Sequence, residues 1–130
     1  KKKKKESITR RYRMKHILFD LRGCLFDNLL DNEEYIQESL QKASEVCGSK
    51  VLKIETHKFD PQGVTGYALL AESHLSIHTW PEHSLAKCDI FTCSYANHPN
   101  RAVEYLKERF HATEVRRWAC DRSSGIDMVL

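Results

Sequence analysis

Between Gly63 and Glu82 the chain crowds hydroxyls, imidazoles and carboxylates into a run of strand-forming residues, GVTGYALLAESHLSIHTWPE. Three chemistries compete for it. His74, His78 and His83, with Cys88 or Cys93, are zinc-ligand types. Their spacing of four suits a helix face, however, and on an extended strand His74 and His78 stand about 13 Å apart, too far for one ion. Alternation offers a plainer reading, in which Leu75 and Ile77 enter a core while His74, Ser76, His78 and Trp80 line the opposite face. The third reading is acyl transfer within the chain itself. The Ser73 hydroxyl attacks the Glu72 carbonyl, turning an amide into an ester, and removal of the serine Cα proton then breaks that ester. Such a sequence needs a hydroxyl beside the scissile carbonyl, a constrained turn, a donor for the developing oxyanion and a nearby base. Ser73, the strand junction, Thr65 and His78 are of the right types. Periodicity alone favours the packing reading.

The longer string reverses that order. Glu72-Ser-His-Leu-Ser-Ile-His-Thr-Trp-Pro-Glu82, followed by Asp89-Ile-Phe-Thr-Cys93, resembles the bacterial and archaeal form of S-adenosylmethionine decarboxylase. The likeness extends to Gly23-Cys24 and to Phe59 ahead of a Pro/Gly turn, and it spans roughly residues 15–120. It implies that the bond between Glu72 and Ser73 is broken by serinolysis. The products are a β chain ending in Glu72 and an α chain beginning with a pyruvoyl group made from Ser73, of 72 and 58 residues. It implies His78 as the proton acceptor of processing, which suits an imidazole titrating near neutrality. Cys93 becomes the proton donor in turnover, Phe59 the ring that stacks on adenine and Glu82 the carboxylate that binds the ribose hydroxyls. Thr65 stands where the family usually has serine, which keeps the oxyanion-stabilising hydroxyl but adds a methyl and stiffens the side chain.

The activity implied is decarboxylation of S-adenosylmethionine through a Schiff base on the pyruvoyl group, giving the aminopropyl donor for spermidine and other polyamines. It requires no metal and no pyridoxal phosphate. Two precursors are expected to assemble into an (αβ)₂ homodimer with shared active sites. Two other readings remain on the same scaffold: a pyruvoyl-dependent decarboxylase of arginine or ornithine, and a non-processing regulatory homologue.

The elements that must position these residues follow from pattern. His16–Leu21 is a short apolar run ending at Gly23 and reads as a strand. Asp31 is the expected N-cap of a helix carrying Tyr35, Ile36, Leu40, Ala43, Val46 and Cys47 at helical spacing, with Gly48 as its stop. Residues 50–59 alternate as a strand, and Asp60-Pro-Gln-Gly63 is turn chemistry. Residues 66–72, 74–80 and 87–93 read as further strands, with Pro81 interrupting before the last of them. Pro99 opens a second amphipathic helix through Ala102, Val103, Leu106 and Phe110. A last strand runs over 113–119. The order βαββββαβ predicts an α+β fold: a two-layer sandwich with an antiparallel sheet and two helices on one face. The other sheet face then needs a cover, and a dimer partner is one candidate.

Composition sets the remaining bounds. With 130 residues, 41% hydrophobic and 30% charged, the chain fits one globular domain over residues 15–130. The net charge of +3 resides in a basic arm over residues 1–14, where Lys1 to Lys5 lead Arg10, Arg11 and Arg13; the rest is slightly acidic. The arm is expected to be a solvated, flexible segment with no role in nucleic-acid binding. No run approaches the ~20 apolar residues of a membrane span, and no apolar h-region of a signal peptide is seen. A cytoplasmic protein is therefore expected. Five cysteines without a CxxC pair suggest neither a disulfide framework nor a zinc ribbon.

Overall fold

Along the first strand Ile17, Phe19 and Leu21 alternate with His16, Leu18 and Asp20. The first set is buried and the second is turned to the opposite face. The same division repeats across a six-stranded sheet. The structure is a computed structural model and describes residues 14–71, 73–93 and 97–123. The basic arm thus lies outside the described residues apart from Met14, whose backbone bonds to Arg122 and to the Ser123 hydroxyl.

The elements are β1 (Lys15–Arg22), α1 (Asp27–Leu30), α2 (Glu33–Cys47), β2 (Val51–Lys58), β3 (Val64–Leu70), β4 (Ser73–Trp80), β5 (Leu85–Thr92), α3 (Pro99–Arg109) and β6 (Glu114–Asp121), with a 3-10 turn over Pro81–His83. The strands lie in the order β2-β3-β4-β5-β1-β6, and every neighbouring pair is antiparallel. α2 rests on β2 and β3, α3 rests on β1 and β5, and the two helices pack against each other. Ile36, Leu40, Ala43, Ala102, Val103 and Leu106 meet Phe19, Ala68, Leu75, Ile77 and Ile90 in one buried core. The expected two-layer α+β sandwich is the architecture found. α1 is an addition, too short at four residues for hydrophobic periodicity to reveal.

Local chemistry explains the boundaries and corrects one expectation. The N-cap of α2 is Asn32, whose side chain accepts from the Tyr35 N–H at 3.0 Å, and not Asp31. Asp31 is committed elsewhere: its carboxylate accepts from the Gly63 N–H at 2.7 Å and pairs with Lys58 at 3.0 Å. Those backbone and side-chain hydrogen bonds hold its pKa below the ordinary carboxylate value. Asp31 therefore ties the start of the helical layer to the turn after β2, where Gly63 adopts a φ of 101° that favours glycine. A register shift between Val51 and Lys53 leaves Leu52 exposed on an otherwise regular hairpin. Gly66 is needed for closeness: a Cβ there would lie 2.8 Å from Thr56 Cγ2 and 3.1 Å from Leu40 Cδ1, where α2 settles on the sheet.

The face away from the helices carries His57, Phe59, Thr65, Tyr67, Leu69, His74, His78, Trp80, Asp89, Phe91, Leu18 and Trp118. Leu18, Tyr67, Leu69 and Trp118 are 40 to 54% exposed, a large apolar area to leave uncovered. Among the described residues no helix is long and apolar enough to cross a membrane.

Candidate active site

β3 and β4 pair so that Thr65 stands opposite His78, and Thr65 Oγ1 lies 3.1 Å from His78 Nδ1. A hydroxyl on the neighbouring strand thus orients the ring, leaving Nε2 as its other nitrogen. The ring of Trp80, two residues on, lies 6.5 Å away, centroid to centroid. His57 faces Thr65 from β2 and stacks edge-on against Phe59 at 4.6 Å. Glu82 is exposed in the 3-10 turn that follows Trp80. Phe59, Thr65, His78 and Glu82 therefore gather toward one end of the sheet.

Ser73 belongs to the opposite end. It pairs with Leu70 to close a two-residue turn, and its hydroxyl donates to the Ala71 carbonyl at 3.3 Å. Glu72, next to it in the sequence, lies outside the described residues. Because His74 sits opposite Phe91, β4 begins where β5 ends, and half-buried Cys93 directly follows β5. Ser73 and Cys93 share this end. Five residues of strand, about 16 Å at ~3.3 Å each, separate Ser73 from His78. Within one chain the groups named from sequence thus form two half-sites, and the serine is not beside its expected base.

The zinc set considered from sequence is also dispersed. Cys88 is buried on the helix side of β5, whereas His74 and His78 lie on the open face. Burial pushes the Cys88 thiol well above its usual pKa, and burial with the nearby Asp27 carboxylate raises Cys24 to about 11, so neither is suited to exchange protons.

A different polar cluster does assemble, and sequence reasoning missed it. His16 Nε2 on β1 and His74 Nε2 on β4 lie 2.7 and 2.8 Å from the same Asp89 Oδ2 on β5, and the Ser76 hydroxyl donates to Oδ1. Burial works against the Asp89 carboxylate, but the bonds from Ser76, His16 and His74 outweigh it and hold its pKa below the ordinary value. The three ligand-type atoms lie within 4.8 Å of one another. Three hydrogen-bond donors on one carboxylate account for that geometry without an ion. The available signal was Asp89 itself, an acid inside an apolar strand.

The sequence profile of S-adenosylmethionine decarboxylase matches residues 15–123. The chain belongs to the S-adenosylmethionine decarboxylase family. It is 48% identical over 98 residues to an S-adenosylmethionine decarboxylase proenzyme of Prochlorococcus marinus (strain MIT 9211), covering 75% of this chain and 80% of that one. A proenzyme of Clostridium botulinum (strain Hall) is 45% identical over 103 residues, 78% of this chain and 88% of that one. The crystal structure of the adenosylmethionine decarboxylase from Aquifex aeolicus VF5 superposes with a TM-score of 0.77 at 33% identity, covering 86% of this chain and 92% of that one. The antiparallel α+β architecture agrees with that decarboxylase structure.

Proposed function

We propose that this chain is a proenzyme that breaks its own Glu72–Ser73 bond and, once matured, decarboxylates S-adenosylmethionine to supply polyamine synthesis. The observation that carries the reading is the place of Ser73. It is the first residue of an interior strand at the exit of a two-residue turn, so a break before it leaves both halves hydrogen-bonded into the sheet. The names of the relatives, proenzymes of this decarboxylase, support the same reading.

In the proposed processing, Ser73 Oγ bonds to the Glu72 carbonyl carbon as the peptide C–N bond breaks. His78 then takes the serine Cα proton, and the Cβ–Oγ bond breaks to release the Glu72 carboxylate. Hydrolysis of the resulting unsaturated end expels the serine nitrogen as ammonia and leaves a ketone. Thr65 holds the His78 ring and offers its hydroxyl to the developing oxyanion. The pyruvoyl group so formed supplies a carbonyl that takes up an amine and draws electrons as carbon dioxide leaves. Cys93, at the same end of the sheet as residue 73, carries the proton for the product carbon. Phe59 provides a ring face for adenine, and Glu82 accepts from the ribose hydroxyls.

The separation of the half-sites supports a homodimer. If two open sheet faces pack about a two-fold axis perpendicular to the strands, strand direction reverses between them. Ser73 and Cys93 of one protomer then lie over the Thr65–His78 end of the other. Leu18, Tyr67, Leu69 and Trp118 supply the apolar cover such a contact requires.

A denaturing gel of wild type beside Ser73→Ala tests the cleavage, with two fragments expected for wild type and one band for the variant. An intact wild-type band overturns it. Carbon dioxide release from S-adenosylmethionine tests the substrate, and release from arginine or ornithine alone overturns that assignment.

A further inference from the structure

The proposed cleavage leaves a mechanical problem at the start of β4. In the intact chain Ser73 is held by its covalent turn and by its pairing with Leu70. After the break the turn is gone. The serine nitrogen has also left, so residue 73 has no N–H to give to a neighbouring strand. His74 is then the first residue with a full set of backbone and side-chain anchors.

Its imidazole reaches Asp89 on β5 at 2.8 Å, and the same oxygen holds His16 on β1 at 2.7 Å. Ser76, two residues further along β4, occupies the other oxygen. The pairings Ser76↔Asp89 and Leu18↔Asp89 place this carboxylate at the centre of three adjacent strands. Asp89 is also four residues before Cys93 on the strand that leads to it. Hydrogen bonds to an ionised acceptor are about twice as strong as neutral ones, which suits a carboxylate for holding an end that has lost its backbone tether.

We propose that Asp89 is a positioning residue: with His16 it clamps the freed end of β4 through His74 and Ser76, keeping residue 73 at the Cys93 end of the sheet after the chain is cut. The inference rests on the proposed cleavage and adds a requirement specific to the cleaved state. In the precursor the covalent turn already does the clamp's work.

Hydrogen exchange of peptides covering residues 73–78 tests this, measured in wild type, Asp89→Asn, Ser73→Ala and the double variant, each also run on a denaturing gel. Asp89→Asn is expected to raise exchange about tenfold in the cleaved protein and less than about twofold in the uncleaved Ser73→Ala background. His16→Ala, which leaves the His74–Asp89 bond in place, should show the same dependence on cleavage at smaller size, and it serves as the test should Asp89→Asn fail to fold or mature. Equal responses in cleaved and uncleaved backgrounds would make Asp89 an ordinary structural anchor and overturn the clamp alone. An intact wild-type band overturns the cleavage reading, and the clamp with it.

Discussion

Thr65 Oγ1 and His78 Nδ1 stand 3.1 Å apart across the β3–β4 ladder, while Ser73, on the same strand as His78, lies at its other end. An imidazole and the hydroxyl that meets it are assembled, but away from the serine of their own chain. The homodimer proposed above would bring the two ends together.

Complementation between two inactive precursors follows. Ser73→Ala keeps Thr65 and His78, and His78→Ala keeps Ser73. Each alone should remain one band on a denaturing gel. Co-expressed, they should yield fragments of 72 and 58 residues from the His78→Ala chain. Absence of fragments from the mixture, with dimers present by sedimentation, would mean that processing occurs within one chain.

Thr65 makes a graded prediction. Thr65→Val keeps shape but removes the hydroxyl that meets His78, and should slow processing by roughly 10²-fold or more, the usual loss for one oxyanion donor. Thr65→Ser restores the hydroxyl without the methyl and should process at least as fast as wild type. Time courses of precursor disappearance give both rates, and an unimpaired Thr65→Val would remove Thr65 from the machinery.

Gly66→Ala probes packing apart from chemistry. The added methyl would meet Thr56 Cγ2 at 2.8 Å, Leu40 Cδ1 at 3.1 Å and the Glu55 carbonyl at 3.2 Å. Overpacking of this kind destabilises by about 1–3 kcal/mol. Urea unfolding of the Ser73→Ala precursor, with and without Gly66→Ala, measures it without interference from cleavage.

Acid should unmask Asp89. Its native pKa is depressed below the ordinary 3.8, so its hydrogen-bonded carboxylate contributes stability that is fully present above the unfolded value. That contribution is lost as pH falls through the native one. Wild type should melt higher than Asp89→Asn at pH 7, and the gap should close below about pH 4. A gap unchanged at pH 2.5 would show that the carboxylate charge does not matter.

Much of the frame was legible because strands and helices impose short periods on side chains. Leu75 and Ile77 against His74, Ser76 and His78 divided between the two faces as alternation requires. The helix from Glu33 was plain from its apolar stripe and from Gly48 as its stop, which the structure places at φ 89°, yet its cap moved from Asp31 to Asn32. Adjacent polar residues compete for that role, and Asp31 is claimed by Gly63 and Lys58, contacts set by chain more than 25 residues away. In the Asp89 cluster the acid within its strand was visible in the sequence, but its partners were not, for a similar reason. The cluster depends on the simultaneous register of β1, β4 and β5, which neither spacing nor composition encodes. The distance between Ser73 and His78, by contrast, follows from counting residues along an extended strand.

The strand order has a consequence for what a cut before Ser73 leaves behind. One fragment would own β1, β2 and β3, and the other β4, β5 and β6, but in space they run β2-β3, β4-β5, β1, β6. The pieces are interleaved like the fingers of two hands. β1 of the first is gripped between β5 and β6 of the second, so parting them means unzipping three ladders together. Maturation would thus turn one polypeptide into two that remain inseparable in native solution, and only denaturation would reveal that the backbone had ever been severed.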